Sequence, residues 1–162
     1  MAVLPVRQFG DPVLREKCKR VTNPGKAIQE LIDDMIETMQ EYYGAGLAAP
    51  QVGKALRVVV IQMYDEEPFA LINPEVVKKQ GEREVLEGCL SFPGYRGEIK
   101  RSESVTVKGR DRTGKEIRIK ATDLLAQALE HEIDHLNGVL YIDYLESEDK
   151  LEKLEPEEHA EL

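Results

Sequence analysis

Apolar residues recur at Ile28, Leu31, Ile32, Met35, Ile36, Met39 and Tyr42, spacings of three and four that put them on one helical face. Asn23-Pro24-Gly25 precedes this stripe as a loop, and Gly44 stands where a C-cap would end the helix. The methionines and the tyrosine of the stripe read as core. Residues 56–63 read as a buried strand, dense in β-branched residues from Val58 to Ile61. Phe69-Ala70-Leu71-Ile72 reads as another strand, halted by Asn73-Pro74. Residues 104–108 and 116–120 alternate apolar and polar, and Asp111-Arg112-Thr113-Gly114 joins them as a hairpin with one wet face. A second helix is expected from a cap at Thr122 or Asp123 to a stop at Asn137-Gly138.

That second helix carries two stripes. Leu125, Leu129, Ile133 and Leu136 form an anchoring face, while Leu124, Ala128, His131 and His135 lie on a neighbouring one. His131-Glu132-Ile133-Asp134-His135 is an H-E-x-x-H pattern, expected by chance in roughly one per cent or less of chains this long. Residues four apart stack one turn above each other, so both histidines can grip one metal ion. Glu132 is then held close enough to take a proton from bound water. Leu124 and Ala128 upstream of the histidines imply a hydrophobic pocket beside the ion, sized for one aliphatic side chain. The fold class expected is α+β: mixed or antiparallel strands packed around a central metal-binding helix, with an N-terminal amphipathic helix.

With 162 residues and 41% hydrophobic content, the chain suits one domain with a real core. No apolar run approaches the roughly 20 residues a membrane span needs. The first twelve residues show neither a charged n-region nor an apolar h-region, so a cytoplasmic location is expected. The net charge is −9, and nine acidic residues with two lysines from Asp143 to Leu162 supply −7 of it. Two units are expected: a catalytic domain over residues 1–146, and an acidic tail over 147–162, helical or frayed. Leu145, Leu151 and Leu154 offer contacts by which part of the tail could dock. Such a tail argues against direct nucleic-acid binding.

Two histidines leave a catalytic site short of its usual third protein ligand. Downstream, His159 and tail glutamates are available; upstream stands Cys89, in Glu87-Gly88-Cys89-Leu90-Ser91. A thiolate binds Zn²⁺ or Fe²⁺ strongly. The other cysteine, Cys18, reads as a small buried hydrophobe, and two cysteines imply no disulfide framework. A third segment, Gly44-Ala45-Gly46-Leu47-Ala48-Ala49-Pro50-Gln51, brings glycines that allow close backbone approach.

Together the three segments resemble the bacterial peptide deformylase family, whose motifs read G-φ-G-φ-A-A-x-Q, E-G-C-φ-S and H-E-φ-D-H, with φ apolar. All three occur here in the family's order, and Phe9-Gly10-Asp11-Pro12-Val13-Leu14-Arg15 resembles its usual opening. The resemblance implies metal-dependent removal of the formyl group from formyl-methionyl peptides emerging from the ribosome, releasing formate. It makes Cys89, His131 and His135 the metal ligands and Glu132 the acid/base that activates the metal-bound water. Gln51 and the Leu90 backbone N–H become the oxyanion partners. Glu87 and Arg101 tie the site together, and Arg96 approaches the peptide. Gly44, Ala45 and Gly46 form an edge for substrate pairing, with methionine enclosed by Ala45, Leu124 and Ala128. One divalent ion is implied, Fe²⁺ physiologically, with Zn²⁺, Ni²⁺ or Co²⁺ able to replace it.

This chain departs from the family pattern twice. Ala45 replaces the usual Ile or Val, which implies a looser methionine pocket, and the tail is acidic where a basic helix would favour ribosome docking. Two rival readings make different demands. A zinc endopeptidase would need an open cleft and a ligand downstream of His135, and a structural site would need a fourth ligand such as Cys18.

Overall fold

Gly25 starts and Tyr42 ends the first helix, α1 (Lys26–Glu41), in a computed structural model that describes residues 2–147 and 150–154. α1 buries Ile28, Leu31, Ile32, Met35 and Met39. Tyr42, expected in the core, is 45% exposed and stands at the C-cap, beyond the last helical residue. The helix stop also differs from expectation. Tyr43 takes the left-handed conformation, φ 55°, and the Gly44 N–H reaches back to the Met39 carbonyl at 3.0 Å.

Eight strands follow: β1 (Gly46–Ala48), β2 (Val58–Ile61), β3 (Phe69–Gln80), β4 (Arg83–Glu87), β5 (Tyr95–Arg101), β6 (Ser104–Arg110), β7 (Glu116–Thr122) and β8 (Leu151–Lys153). They make a five-stranded sheet ordered β1-β2-β3-β6-β7 and a three-stranded sheet ordered β4-β5-β8, with every named pair antiparallel. The second helix, α2 (Asp123–Leu136), enters from β7 with Thr122 as its N-cap. Gly138, at φ 73°, turns the chain just beyond it; a Cβ there would meet the Arg15 carbonyl oxygen at 2.6 Å.

The unbroken apolar run of β2 has a simple cause. Val58 and Val60 pack into the cluster with Ile32, Met35 and Met39 of α1, while Val59 and Ile61 join Leu129, Ile133 and Leu136 of α2. Both faces of this strand are therefore covered, which removes the usual polar alternation. The hairpin of β6 and β7 keeps that alternation because one face is wet. Asp111 Oδ1 closes its turn by accepting from the Thr113 and Lys115 backbone N–H groups, at 2.9 and 3.1 Å.

Two expectations are corrected. Asn73-Pro74 does not halt β3, which runs through to Gln80 with one register shift across the proline, between Ile72 and Glu75, and another beyond it, between Val76 and Lys78. Asn73 sits at φ 53°, and its side chain takes both the Val21 N–H and carbonyl at 2.8 Å, so an irregularity replaces a stop. Residues 151–153, expected to be helical or frayed, form strand β8 against β5. Leu151 is half-buried while Glu152 and Lys153 are exposed, and Leu154 beyond them is 6% exposed, its N–H bonded to the Gly94 carbonyl at 2.8 Å. His159 lies outside the described residues. Among the described residues, no helix is long and apolar enough to cross a membrane.

Because Leu154 is buried where β8 closes the smaller sheet, Leu154→Ala is expected to cost about 2 kcal/mol or more of stability. Urea unfolding checks this, and an unchanged midpoint would contradict the docking of that segment.

Candidate metal centre

α2 places His131 and His135 one turn apart on a buried face, 4% and 1% exposed. Cys89 follows β4 and is equally enclosed. Its Sγ stands 3.4 Å from His135 Nε2, which stands 3.3 Å from His131 Nε2. Atoms bound tetrahedrally at about 2.0–2.1 Å for nitrogen and 2.3 Å for sulfur would be about 3.3–3.6 Å apart. The trio therefore has the spacing of ligands around one divalent ion. It is the group of three that the described residues offer for a metal.

Glu87, at the end of β4, fixes one of these ligands. Its Oε1 contacts His131 Nδ1, leaving Nε2 turned toward Cys89 and His135. Arg101 grips the same carboxylate with two N–H groups, its Nε donating to Oε2 at 2.9 Å, and Gln127 Nε2 donates to that oxygen at 3.3 Å. Arg101 Nη1 also donates to Asp134 Oδ2 at 2.7 Å, and Tyr144 OH donates to the same oxygen at 2.8 Å. Burial alone would raise the Glu87 carboxyl. The charge and hydrogen bond of His131 and those of Arg101 outweigh it and bring Glu87 down to about 2. Burial, followed by the neighbouring His131, holds His135 well below its usual range.

Glu132 is 2% exposed, with Oε2 4.0 Å from His131 Nε2. Its Oε1 is buried with no protein hydrogen-bond partner, an oxygen left for water or substrate. Burial pushes this carboxyl up to about 7; the His131 charge opposes the shift and Glu87 adds to it. Gly46 explains how so bulky a group fits against β1. A Cβ at that position would meet Glu132 Oε2 at 2.6 Å and Cγ at 2.9 Å. Gly44 is similarly constrained, by Leu90 Cδ1 at 2.8 Å.

Gln51 lies in the short helix 49–52 after β1. Its Oε1 accepts the Ala48 N–H at 2.9 Å, which fixes the amide so that Nε2 points to Ser91 Oγ at 3.1 Å and Cys89 Sγ at 3.5 Å. Leu90 is 8% exposed in the same turn.

The remaining expected residues divide. Ala45 and Leu124 line a surface groove of about 490 Å³ together with Gly44. Ala128, grouped with them from the stripe, is 1% exposed in the cluster with Ala48 and Leu71, and does not line that groove. Arg96 forms an ion pair with Glu152 of β8, Nη2 to Oε1 3.2 Å. Cys18 belongs to the α2 core cluster, its thiol pushed up to about 11 by burial, and is not part of the ligand trio. Gln127 and Tyr144 were missed because no spacing in the sequence marks them. Asp134 lay in view inside the motif, with no partner to assign it.

A cysteine sulfur and two imidazoles converging beside a buried carboxylate, on an α+β scaffold, define the class: a single-metal hydrolase. The polypeptide deformylase family model matches residues 3–151 of the chain. The peptide deformylase of Dehalococcoides mccartyi (strain CBDB1) is 57% identical over 159 residues, covering 98% of this chain and 95% of that one. The crystal structure of a peptide deformylase from Legionella pneumophila superposes with a TM-score of 0.88 at 44% identity, over 92% of this chain and 89% of the other. One from Synechococcus elongatus, in complex with actinonin, also gives 0.88, at 39% identity over 93% and 82%. The chain belongs to the polypeptide deformylase family.

Gly46→Ala should displace the Glu132 carboxylate without touching Cys89, His131 or His135, since the new methyl collides with Glu132. The expected result is a near-normal metal content with deformylation reduced about 10²-fold or more. Full activity in that variant would show that the close packing has no role.

Proposed function

We infer that this chain removes the formyl group from N-formylmethionyl peptides by hydrolysis. The observation that carries the mechanism is the buried, unpartnered Glu132 Oε1 beside three atoms with metal-ligand spacing. Cys89, His131 and His135 would hold a divalent ion, which would supply Lewis acidity and lower the pKa of a water molecule. Glu132 accepts the proton of the attacking water. As the formyl carbon becomes tetrahedral, Gln51 Nε2 and the Leu90 backbone N–H donate to the developing oxyanion. Gln51 needs little reorientation for this, because the Ala48 N–H already holds its amide. Glu132 then passes the proton to the departing amine, formate leaves, and the peptide keeps a free N-terminal methionine.

Substrate binding follows from the same geometry. β1 is the edge strand of its sheet, so a peptide can add to it as a further strand. We assign Gly44, Ala45 and Gly46 to that pairing, Ala45 and Leu124 to enclosing the methionine side chain, and Arg96 to the approach of the peptide backbone. Glu87 and Arg101 act through His131. Residues 1–146 are proposed as one catalytic domain. Its expected partner is the nascent chain at the ribosome, its location the cytoplasm, and its physiological ion Fe²⁺, with Zn²⁺, Ni²⁺ and Co²⁺ as substitutes.

The test is formate release from formyl-Met-Ala-Ser by protein reconstituted anaerobically with each ion. Release by the Fe²⁺ form supports the reading; no release with any ion overturns it. Glu132→Gln is expected to retain metal near one equivalent while turnover falls about 10²–10⁴-fold. Cys89→Ala should lose the metal itself. An active Glu132→Gln enzyme, or tightly bound metal in Cys89→Ala, would reverse the roles given to these residues.

A further inference from the structure

We propose that a cleft on the far side of the metal helix is an anion site, built to hold a phosphate group on Arg57, Arg20 and Lys17. The cleft measures about 540 Å³ and lies between the segment 17–20, the residue before β2, the Pro74 bend of β3 and the last turn of α2. Its wall on α2 is Ile133, Asp134 and Asn137. Ile133 stands two residues from both His131 and His135, about 200° around the helix, so the cleft opens on the face opposite the metal ligands. A cavity of this size falls in the range of small-molecule sites.

The fold fixes Arg57 in this cleft and leaves part of its guanidinium unused. Its backbone N–H donates to the Lys19 carbonyl at 2.9 Å, and its carbonyl accepts the Asn73 N–H at 2.8 Å, which pins it between two neighbouring segments. The Leu136 carbonyl, left over at the end of α2, accepts the Cys18 N–H at 2.8 Å and Arg57 Nη1 at 3.0 Å. Nε and Nη2 of Arg57 then have no hydrogen-bond partner among the described residues. Those two groups form the side-on fork of an arginine, which meets two oxygens of one anion.

The charge around that fork is positive and poorly compensated. Among the lining cations, Lys79 is taken by the buried Glu130, Nζ to Oε2 3.3 Å. Among the lining acids, Asp134 is already bonded to Arg101 and Tyr144. Lys17, Arg20 and Arg57 form no ion pair among the described residues, and Glu75 is the lining acid left to oppose them. Burial holds the Arg57 guanidinium below its usual range; nearby Arg20 adds to the shift and Glu75 opposes it. Three cations against one carboxylate leave a local surplus of two positive charges, in a chain whose net charge is −9. That surplus matches a phosphate dianion.

The experiment follows backbone amides of the zinc-loaded protein by NMR while inorganic phosphate is added. The amides of Lys17, Lys19, Arg20 and Asn137 are expected to shift saturably, with a midpoint of about 1 mM, and to move far less in sodium chloride of equal ionic strength. Arg57→Gln should weaken that midpoint about tenfold. Because Arg57 also caps α2, a second variant combines Lys17→Gln with Arg20→Gln, both exposed side chains without an ion pair, and should weaken it similarly. AMP separates the two sources of the group: tighter binding than phosphate at the same amides supports a phosphomonoester ligand, weaker binding there a free anion. Shifts that fail to saturate, that chloride reproduces, that persist unchanged in both variants, or that are confined to Gly46, Leu90 and His135 beside the metal centre would overturn the site.

Discussion

One buried carboxylate, Glu87, connects the two sheets' halves of the site. It is carried by β4 of the smaller sheet, yet its oxygens are shared between Arg101 of β5 and His131 and Gln127 of α2. An unpaired charge at this depth would be prohibitive, and removing one partner of such a pair typically costs about 3–5 kcal/mol. Bidentate pairing with Arg101 therefore permits Glu87 to stay ionised, and the ionised form holds the His131 ring in the orientation that a metal requires. Arg101 in turn is steadied by Asp134, whose other partner is Tyr144. The chain of contacts runs from the metal face of α2 through Arg101 of β5 to Tyr144 in the segment after α2.

The opposite wall depends on absence of side chains. Gly46 lets the Glu132 carboxylate rest against β1, and Gly44 admits Leu90 from the turn that carries Cys89. Three separated segments thus meet within a few ångströms: the edge strand, the cysteine turn and the metal helix. Gln51 links the first two, since one end of its amide is bonded to Ala48 and the other to Ser91 beside Cys89. Gly46, Gln51 and Glu132 stand on a strand, a short helix and the metal helix, which suits a reaction whose charges must be met without rearrangement.

How much of this was legible in the sequence depended on the range of each interaction. Local periodicity marked the buried faces of α1 and α2, and the hairpin of β6 and β7, because those signals reside in neighbouring residues. The ligand trio was legible for a different reason: H-E-x-x-H fixes two ligands by helical spacing, and the segment around Cys89 resembles a known family motif. Strands β4, β5 and β8 were not read, since charged residues such as Lys100 and Glu152 mask their alternation and their pairing is tertiary. Asn73-Pro74 looked like a stop because its compensation, Val21, is 52 residues away. Ala128 was placed beside Leu124 by helical geometry alone; only the packing of β1 shows that one is buried and the other open.

If preset geometry around Glu87 is what prepares the metal centre, its loss should register in metal affinity before it registers in fold. The direct measurement is chelator competition for bound Fe²⁺ or Zn²⁺ in Glu87→Gln against wild type, with circular dichroism as the check on folding. A 10–100-fold loss of affinity in a folded variant is the predicted result. Unchanged affinity in folded Glu87→Gln would contradict the account.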